Sequence, residues 1–374
     1  MGSRSVLEEL RGRVPLIPVT WTLIAVNIGV FLAMLCNGAG LWHSPNTVQL
    51  AWGANFAPAT EDGQWWRLAT ALFLHFGLLH LTLNMLALWE AGTFVERMVG
   101  HWRFALIYFV SGLFGNLLSL VEHGGSAVAG GASGAVFGVY GVLLVYLWVS
   151  RRQLARAEFR WLFGGAAAFS VLTIVLGLVI PGIDNAAHLG GFGAGSVAAV
   201  CLVRPFAVGS EMPRAWRLAA LGVLTAASAA LTLAVPAPSY RWRDELAARR
   251  QLSEFVGEEQ RISTHWQRLL SQGQAGRLTF EQLAGRVDSE ITGEYDQSFE
   301  ELSSLRLPDA APSAAGVDAA RRYVDIRRQA SRELAQGLRA HDRRRIDAAL
   351  DLARRAPALA APAVSSKRSG RAER

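Results

Sequence analysis

The sequence predicts an all-α polytopic membrane protein: a six-helix core, a seventh transmembrane helix and a helical soluble C-terminal region. Three observations lead there. Hydrophobic residues make up 51% of the 374 residues and the mean hydropathy is +0.24. Seven apolar runs each reach about 20 residues, the length that crosses a hydrocarbon layer. Charge is concentrated at one end: residues 1–235 hold 13 of the 37 Lys and Arg and 10 of the 30 Asp and Glu, and 236–374 hold the rest. A chain so divided has a membrane part followed by a water-soluble part.

The first run, 16–36, is long enough to span and has no clear small-x-small cleavage site, so it reads as a retained helix rather than a signal peptide. Further runs follow at 77–96, 102–121, 131–149, 160–180, 186–203 and 216–235. Arginines in the connections orient them, because cytoplasmic loops carry the excess of basic residues. Arg4, Arg11 and Arg13 precede the first run, and Arg97 and Arg103 lie between the second and third. Arg151, Arg152, Arg156 and Arg160 follow the fourth, while Arg204, Arg214 and Arg217 follow the sixth. Segment 37–76 has only Arg67, and 122–130 and 181–185 have no Arg or Lys. The expected protein is a multi-pass integral membrane protein with a cytoplasmic N-terminus and its C-terminal region outside. Short loops and an Arg- and Ala-rich, Lys-poor composition point to a bacterial inner (cell) membrane.

Beyond the last run the pattern is helical and mixed in charge. Leu246, Leu252, Phe255, Leu269 and Leu270 mark one helix, and Thr279-x-x-Gln282 resembles a capping box opening a second. After a Pro- and Ala-rich break at 307–316, Tyr323, Ile326, Ala330, Leu334 and Leu338 fall on one face of a third. A three-helix bundle or coiled hairpin is the expectation. The resulting domains are 1–15, a cytoplasmic N-terminus; 16–205, the membrane core; 206–235, a linker and the seventh helix; 236–355, a helical extramembrane region; and 356–374, a disordered tail. The +7 net charge implies no nucleic-acid partner, because basic and acidic residues are interleaved at helical spacing. Cys36 and Cys201 both fall in apolar runs and are poor candidates for a structural disulfide. No metal-ligand spacing or cofactor motif is present, so no metal or cofactor is expected.

Polar groups in hydrocarbon are costly unless paired or used. Ser133 opens the fourth run within Gly131-Ala132-Ser133-Gly134; His188 opens the sixth; His80 and Asn84 lie early in the second. With the orientation above, all four fall in the outer third of the membrane. A serine becomes a nucleophile when a neutral imidazole takes its proton. The backbone N–H groups at the start of its helix then suit the oxyanion formed at an attacked carbonyl. His80 and Asn84, at i and i+4, share one helix face and can add side-chain donors. Gly131 and Gly134 leave room beside the nucleophile, and Gly191 and Gly195 fit close packing of the sixth helix on the fourth. Glu90, deeper in the second run, is expected to face a protein or water interior. Asp184, one turn before His188, reads as a helix N-cap rather than a third catalytic group.

These residues resemble those of the rhomboid intramembrane serine proteases. The resemblance covers about 16–205: Trp66-Arg67, then His75, His80 and Asn84 as H-x4-H-x3-N, Val95-Glu96-Arg97 with Gly100, Gly131-Ala132-Ser133-Gly134, and Ala187-His188-Leu189-Gly190-Gly191 followed by Gly195. It implies a Ser133–His188 dyad without an essential acid, with the oxyanion served by Asn84, His80 and the Ser133 N–H. It also implies cleavage of transmembrane protein substrates near the outer face of the bilayer, at small residues beside helix-weakening ones. Trp66 and Arg67 would brace the first outside loop. Many relatives carry tyrosine four residues after the serine, stacked on the histidine; here it is Phe137, which keeps the aromatic face and loses the hydroxyl.

Two other functions compete. A proteolytically silent relative that binds membrane clients would usually lack the serine or the histidine, and both are present. A channel or transporter would favour repeated halves or several deep charges; Glu90 is the one deep charge. The C-terminal region has three open roles: presenting substrates, binding an extramembrane partner, or packing alone.

Overall fold

The computed structural model describes residues 5–202 and 213–361. They form two compact units that divide after Pro238.

The first unit contains α1 (Val6–Arg13), α2 (Pro18–Leu35), three short helices α3 (Asn46–Ala51), α4 (Ala57–Glu61) and α5 (Arg67–Thr70), then α6 (Leu78–Val99), α7 (His101–His123), α8 (Ser133–Ser150), α9 (Arg156–Val179), α10 (Asn185–Leu202) and α11 (Arg214–Ala234). Among the described residues, six helices are long and apolar enough to cross a membrane: α2, α6, α7, α8, α9 and α11. The run at 186–203 was also expected to span. It forms the 18-residue α10 but is not one of the six, because Asn185, His188, Gly190, Gly191, Gly193 and Gly195 depress the hydropathy of its first half.

Helix α8 is the centre of this unit. It is apolar all round, which marks a buried helix, and 72% of it is buried against α10, α7 and α6. Helix α11, only 6% buried, is an apolar rod with almost no protein cover. In lipid that exposure is harmless, and helix association rests on close packing instead of the hydrophobic effect.

Two devices fix the helix ends on the side away from Ser133. Helix α2 starts on Ile17 with no side-chain cap of its own. Buried Glu96 of α6 substitutes: its carboxylate accepts from Val19 N–H at 3.0 Å, Thr20 N–H at 2.7 Å and the Thr20 hydroxyl at 2.6 Å. Anions are favoured at helix N-termini for this reason. Gly100, at φ +85, turns α6 directly into α7 in a conformation side-chain-bearing residues avoid. Glu90 lies at the surface of this unit. Its side chain is exposed, on the same face as exposed Leu86 and Trp89, and accepts from the Tyr140 hydroxyl at 3.4 Å. The helical phase of α6 that buries Ala87, Leu88 and Ala91 turns Glu90 outward.

The second unit holds α12 (Trp242–Gln274), α13 (Phe280–Arg286), α14 (Gly293–Ser304), α15 (Ala314–Arg339) and α16 (Arg343–Ala360), with a π-helical turn over Val287–Thr292 joining α13 to α14. Its core gathers Phe255, Ile262, Trp266, Leu269, Ile291, Tyr295, Leu302, Val324 and Leu334. The Thr279–Gln282 capping box closes in both directions, at 3.2 and 3.0 Å. The expected three helices are joined by α16, which runs past the expected boundary at 356. Ala349, Ala353, Ala356 and Ala360 make a buried small-residue stripe that sequence patterning by large apolar residues overlooks. Pro357 sits inside this helix and cannot donate to the Ala353 carbonyl; Arg327 Nη1 donates to it instead at 3.4 Å. The rest of the expected tail, 362–374, lies outside the described residues.

Candidate active site

Ser133 is the first residue of α8. The position before it is Ala132, which provides no side-chain cap, where Ser, Thr, Asp or Asn would normally satisfy a first-turn donor. The N–H groups of the first turn have no carbonyl four residues back. They are therefore free to meet a developing negative charge at the positive end of the helix dipole.

Gly131 controls the approach to that turn. Its φ of +145 lies outside the range of ordinary residues, and a Cβ there would sit 2.9 Å from His80 Cε1 and 3.0 Å from His80 Nε2. The same Cβ position is 3.7 Å from Ser133 Oγ. The His80 ring and the Ser133 hydroxyl thus face one small void that only glycine leaves open. His80 Nδ1 accepts from Phe76 N–H at 3.4 Å, which leaves the proton of a neutral ring on Nε2, the atom beside Gly131. Asn84, one turn further along α6, is buried and gives one amide N–H to the His80 carbonyl at 2.9 Å. Its second N–H is not engaged in that bond.

His188 lies in the first turn of α10 and is 4% exposed. Its ring stacks flat on Phe137 of α8, with centroids 4.2 Å apart and planes 3° from parallel. Phe137 is one turn past Ser133 on the same face of α8, so the imidazole is held over the helix that carries the serine. His188 Nδ1 is buried and has no protein hydrogen-bond partner among the described residues. Asp184 does not reach it in that role: Oδ1 accepts from Ala187 N–H at 2.9 Å as an N-cap and Oδ2 accepts from the Ser119 hydroxyl at 2.5 Å.

Helices α8 and α10 meet backbone to backbone. A Cβ on Gly191 would lie 1.9 Å from the Gly134 carbonyl oxygen, and one on Gly195 would lie 2.1 Å from that of Gly138. A Cβ on Gly134 would lie 3.1 Å from the Ala187 carbonyl oxygen. Trp66 and Arg67 stand apart from this cluster. Arg67 is buried and ties together the loop before α6, donating to the carbonyls of Leu50 at 2.9 Å and Ala54 at 3.1 Å and to the Gln64 side chain at 2.7 Å. The half-exposed Trp66 ring packs over Gly53, whose added Cβ would meet it at 2.5 Å.

The structure therefore brings together Ser133, Gly131, His80, Phe137, His188, Gly134 and Gly191, with Asn84 one turn along from His80. Sequence reading missed several groups that support them. Ser119 carried no signal, being one hydroxyl in an apolar run. Asn185 donates to the Ile174 carbonyl at 3.1 Å and fills the space a side chain on Gly177 would occupy. His75, which the motif named without a role, is buried and packs edge-on to His80 at 5.0 Å, and its carbonyl accepts from Gln49 at 3.0 Å. Among the described residues no group of His, Cys, Asp and Glu is arranged to hold a metal ion.

Comparison with known proteins gives one consistent answer. The family model for the rhomboid domain matches residues 62–205. The chain is 38% identical over 207 residues to Rhomboid protease GluP of Bacillus subtilis (strain 168), covering 54% of this chain and 39% of that protein. It is 32% identical over 190 residues to the same organism's "Putative rhomboid protease YdcA", covering 50% of this chain and 90% of that one. Rhomboid protease AarA of Providencia stuartii is 27% identical over 281 residues, 68% of this chain and 94% of the relative. The chain spans 39% of the length of GluP and 30% of that of Rhomboid-type serine protease 2 of Emericella nidulans.

Proposed function

The chain belongs to the rhomboid family, and we propose that it is an intramembrane serine endopeptidase in which Ser133 and His188 form the catalytic dyad. One observation carries this reading: an uncapped helix N-terminus presents Ser133 to the His80 ring across Gly131, while His188 is stacked on Phe137 one turn away.

The chemistry follows from these groups. His188, held in place by the stack, takes the proton of the Ser133 hydroxyl as Oγ attacks the scissile carbonyl. The Ser133 N–H, His80 Nε2–H and the second Asn84 N–H are the donors for the oxyanion. His188 then returns the proton to the leaving amine, and water repeats the cycle in reverse to release the acyl group. No acid bonded to the ring is needed to orient the His188 imidazole, which lies flat on Phe137.

Substrates in this reading are transmembrane segments of other proteins. Their helices hide the peptide bond, so cleavage falls where small and helix-weakening residues let the segment unwind. The site lies near the outer face of a bacterial inner membrane, with the N-terminus in the cytoplasm and, with α10 crossing as a seventh span, the second unit outside. This reading is supported by the arginine-poor loops before α6, α8 and α10, whose N-terminal turns carry the site.

Cleavage of a tagged model transmembrane substrate in liposomes tests the proposal. The unaltered protein is expected to cut it, and Ser133→Ala and His188→Ala each to lose at least ~10³-fold in rate. Equal cleavage by all three would refute the dyad.

A further inference from the structure

Helix α10 carries His188 but has little to stop it sliding. Against α8 its closest backbone contacts are glycine to carbonyl, at Gly191–Gly134 and Gly195–Gly138. Against α7 they are of the same kind: a Cβ on Gly115 would lie 2.6 Å from the Ala187 carbonyl oxygen, and one on Gly190 would lie 2.8 Å from the Phe114 carbonyl oxygen. Small-residue contacts of this sort let backbones approach closely, but they present few side chains to interlock. The register along the helix axis, where each residue is worth a 1.5 Å rise, therefore rests on a few side-chain anchors: the His188–Phe137 stack, the Asn185 amide on the Ile174 carbonyl of α9, and a bond to α7.

The only side-chain hydrogen bond joining α7 to the start of α10 among the described residues is Ser119 Oγ–H to Asp184 Oδ2, at 2.5 Å. Ser119 is 2% exposed. The other oxygen of the same carboxylate caps α10 at Ala187 N–H, and the Asp184 carbonyl accepts the His188 N–H at 3.1 Å. One residue, Asp184, thus joins the first turn of α10 through its carboxylate, and the backbone of His188 through its carbonyl, to a fixed point on α7.

We propose that Ser119 and Asp184 are positioning residues for the reaction: their hydrogen bond fixes the axial register of α10 and thereby the depth of His188 relative to Ser133. The inference rests on the proteolytic reading above. It assigns Asp184 a mechanical part and not a proton-transfer part, since its oxygens are committed to Ser119 and the helix cap. A displacement of about 1 Å in a catalytic group can cost about 10²-fold, so loss of one anchor among several is expected to cost roughly tenfold in kcat.

The test compares four variants of the full chain in liposomes: Ser119→Ala; Asp184→Ser, which keeps a helix cap but is too short for Ser119; the two combined; and Asp184→Asn, which keeps the cap and offers an amide to the Ser119 oxygen. Expected are a roughly tenfold fall in kcat with KM within twofold for Ser119→Ala and Asp184→Ser, no further fall in the combined variant, and near-normal kcat in Asp184→Asn. Multiplicative losses in the combined variant, or a folded Ser119→Ala with unchanged kcat, would overturn the clamp. If Ser119→Ala fails to fold, equal kcat in Asp184→Ser and Asp184→Asn would overturn it. Hydrogen exchange gives a readout without turnover: amides of 187–190 are expected to exchange several-fold faster in Ser119→Ala, and unchanged exchange contradicts the proposal. An inactive unaltered protein with the expected exchange change would strike the proteolytic reading alone.

Discussion

Asn84 gives one amide hydrogen to its own helix, and the proposed reaction uses the second. The first bond holds the side chain in one rotamer, so little ordering remains to be done when an oxyanion forms. In the proposed reaction, replacing Asn84 by Ala removes a donor that acts only in the transition state. The expected result in steady-state cleavage is a kcat lower by about 10²-fold with KM little changed; a change in KM alone would assign Asn84 to substrate binding. At this scale the sequence was most readable where a polar residue interrupts an apolar run, as at Ser133, His80, Asn84 and His188. It was silent where one hydroxyl finds a distant partner. Ser119 and Asp184 are 65 residues apart, and nothing in either neighbourhood announces the pairing.

Between elements, the α8–α10 contact sets the site. Even one methyl group at Gly191 cannot fit 1.9 Å from a carbonyl oxygen. Gly191→Ala is therefore expected to push the two helices apart, with a destabilisation of about 1–3 kcal/mol from overpacking and a loss of cleavage larger than that loss of fold explains. Melting temperature in detergent and cleavage rate, measured on the same preparation, check this; full activity at normal stability would contradict the contact. The G-x3-G spacing made the packing face readable from sequence, since glycines four apart share a side of a helix. Glu96 was less so: that it caps α2 from α6, across 76 residues, depends on tertiary placement. Helix α16 was missed because alanines carry the buried stripe and Pro357 reads as a breaker.

For the whole molecule, alternation of the spans is what brings the N-terminal turns of α6, α8 and α10 to one side. The sequence made this legible through arginine placement, a property of loops that owes nothing to the site. Orientation relative to the cell has its own test. In a background with Cys36 and Cys201 replaced, Ser126→Cys is expected to react with a membrane-impermeant maleimide on intact bacterial cells. Gln153→Cys, in the loop after α8, is expected to react only once the cells are opened. The reverse pattern would invert the topology and place the site near the cytoplasm.

The central claim is that Ser133 is a nucleophile activated by His188. A fluorophosphonate probe measures this without any choice of substrate, because it reacts with an activated serine and leaves a mass tag on it. The account requires a single tag on the peptide carrying Ser133, strongly reduced in His188→Ala and absent in Ser133→Ala. A tag on another serine, or a Ser133 tag undiminished in folded His188→Ala, would contradict it.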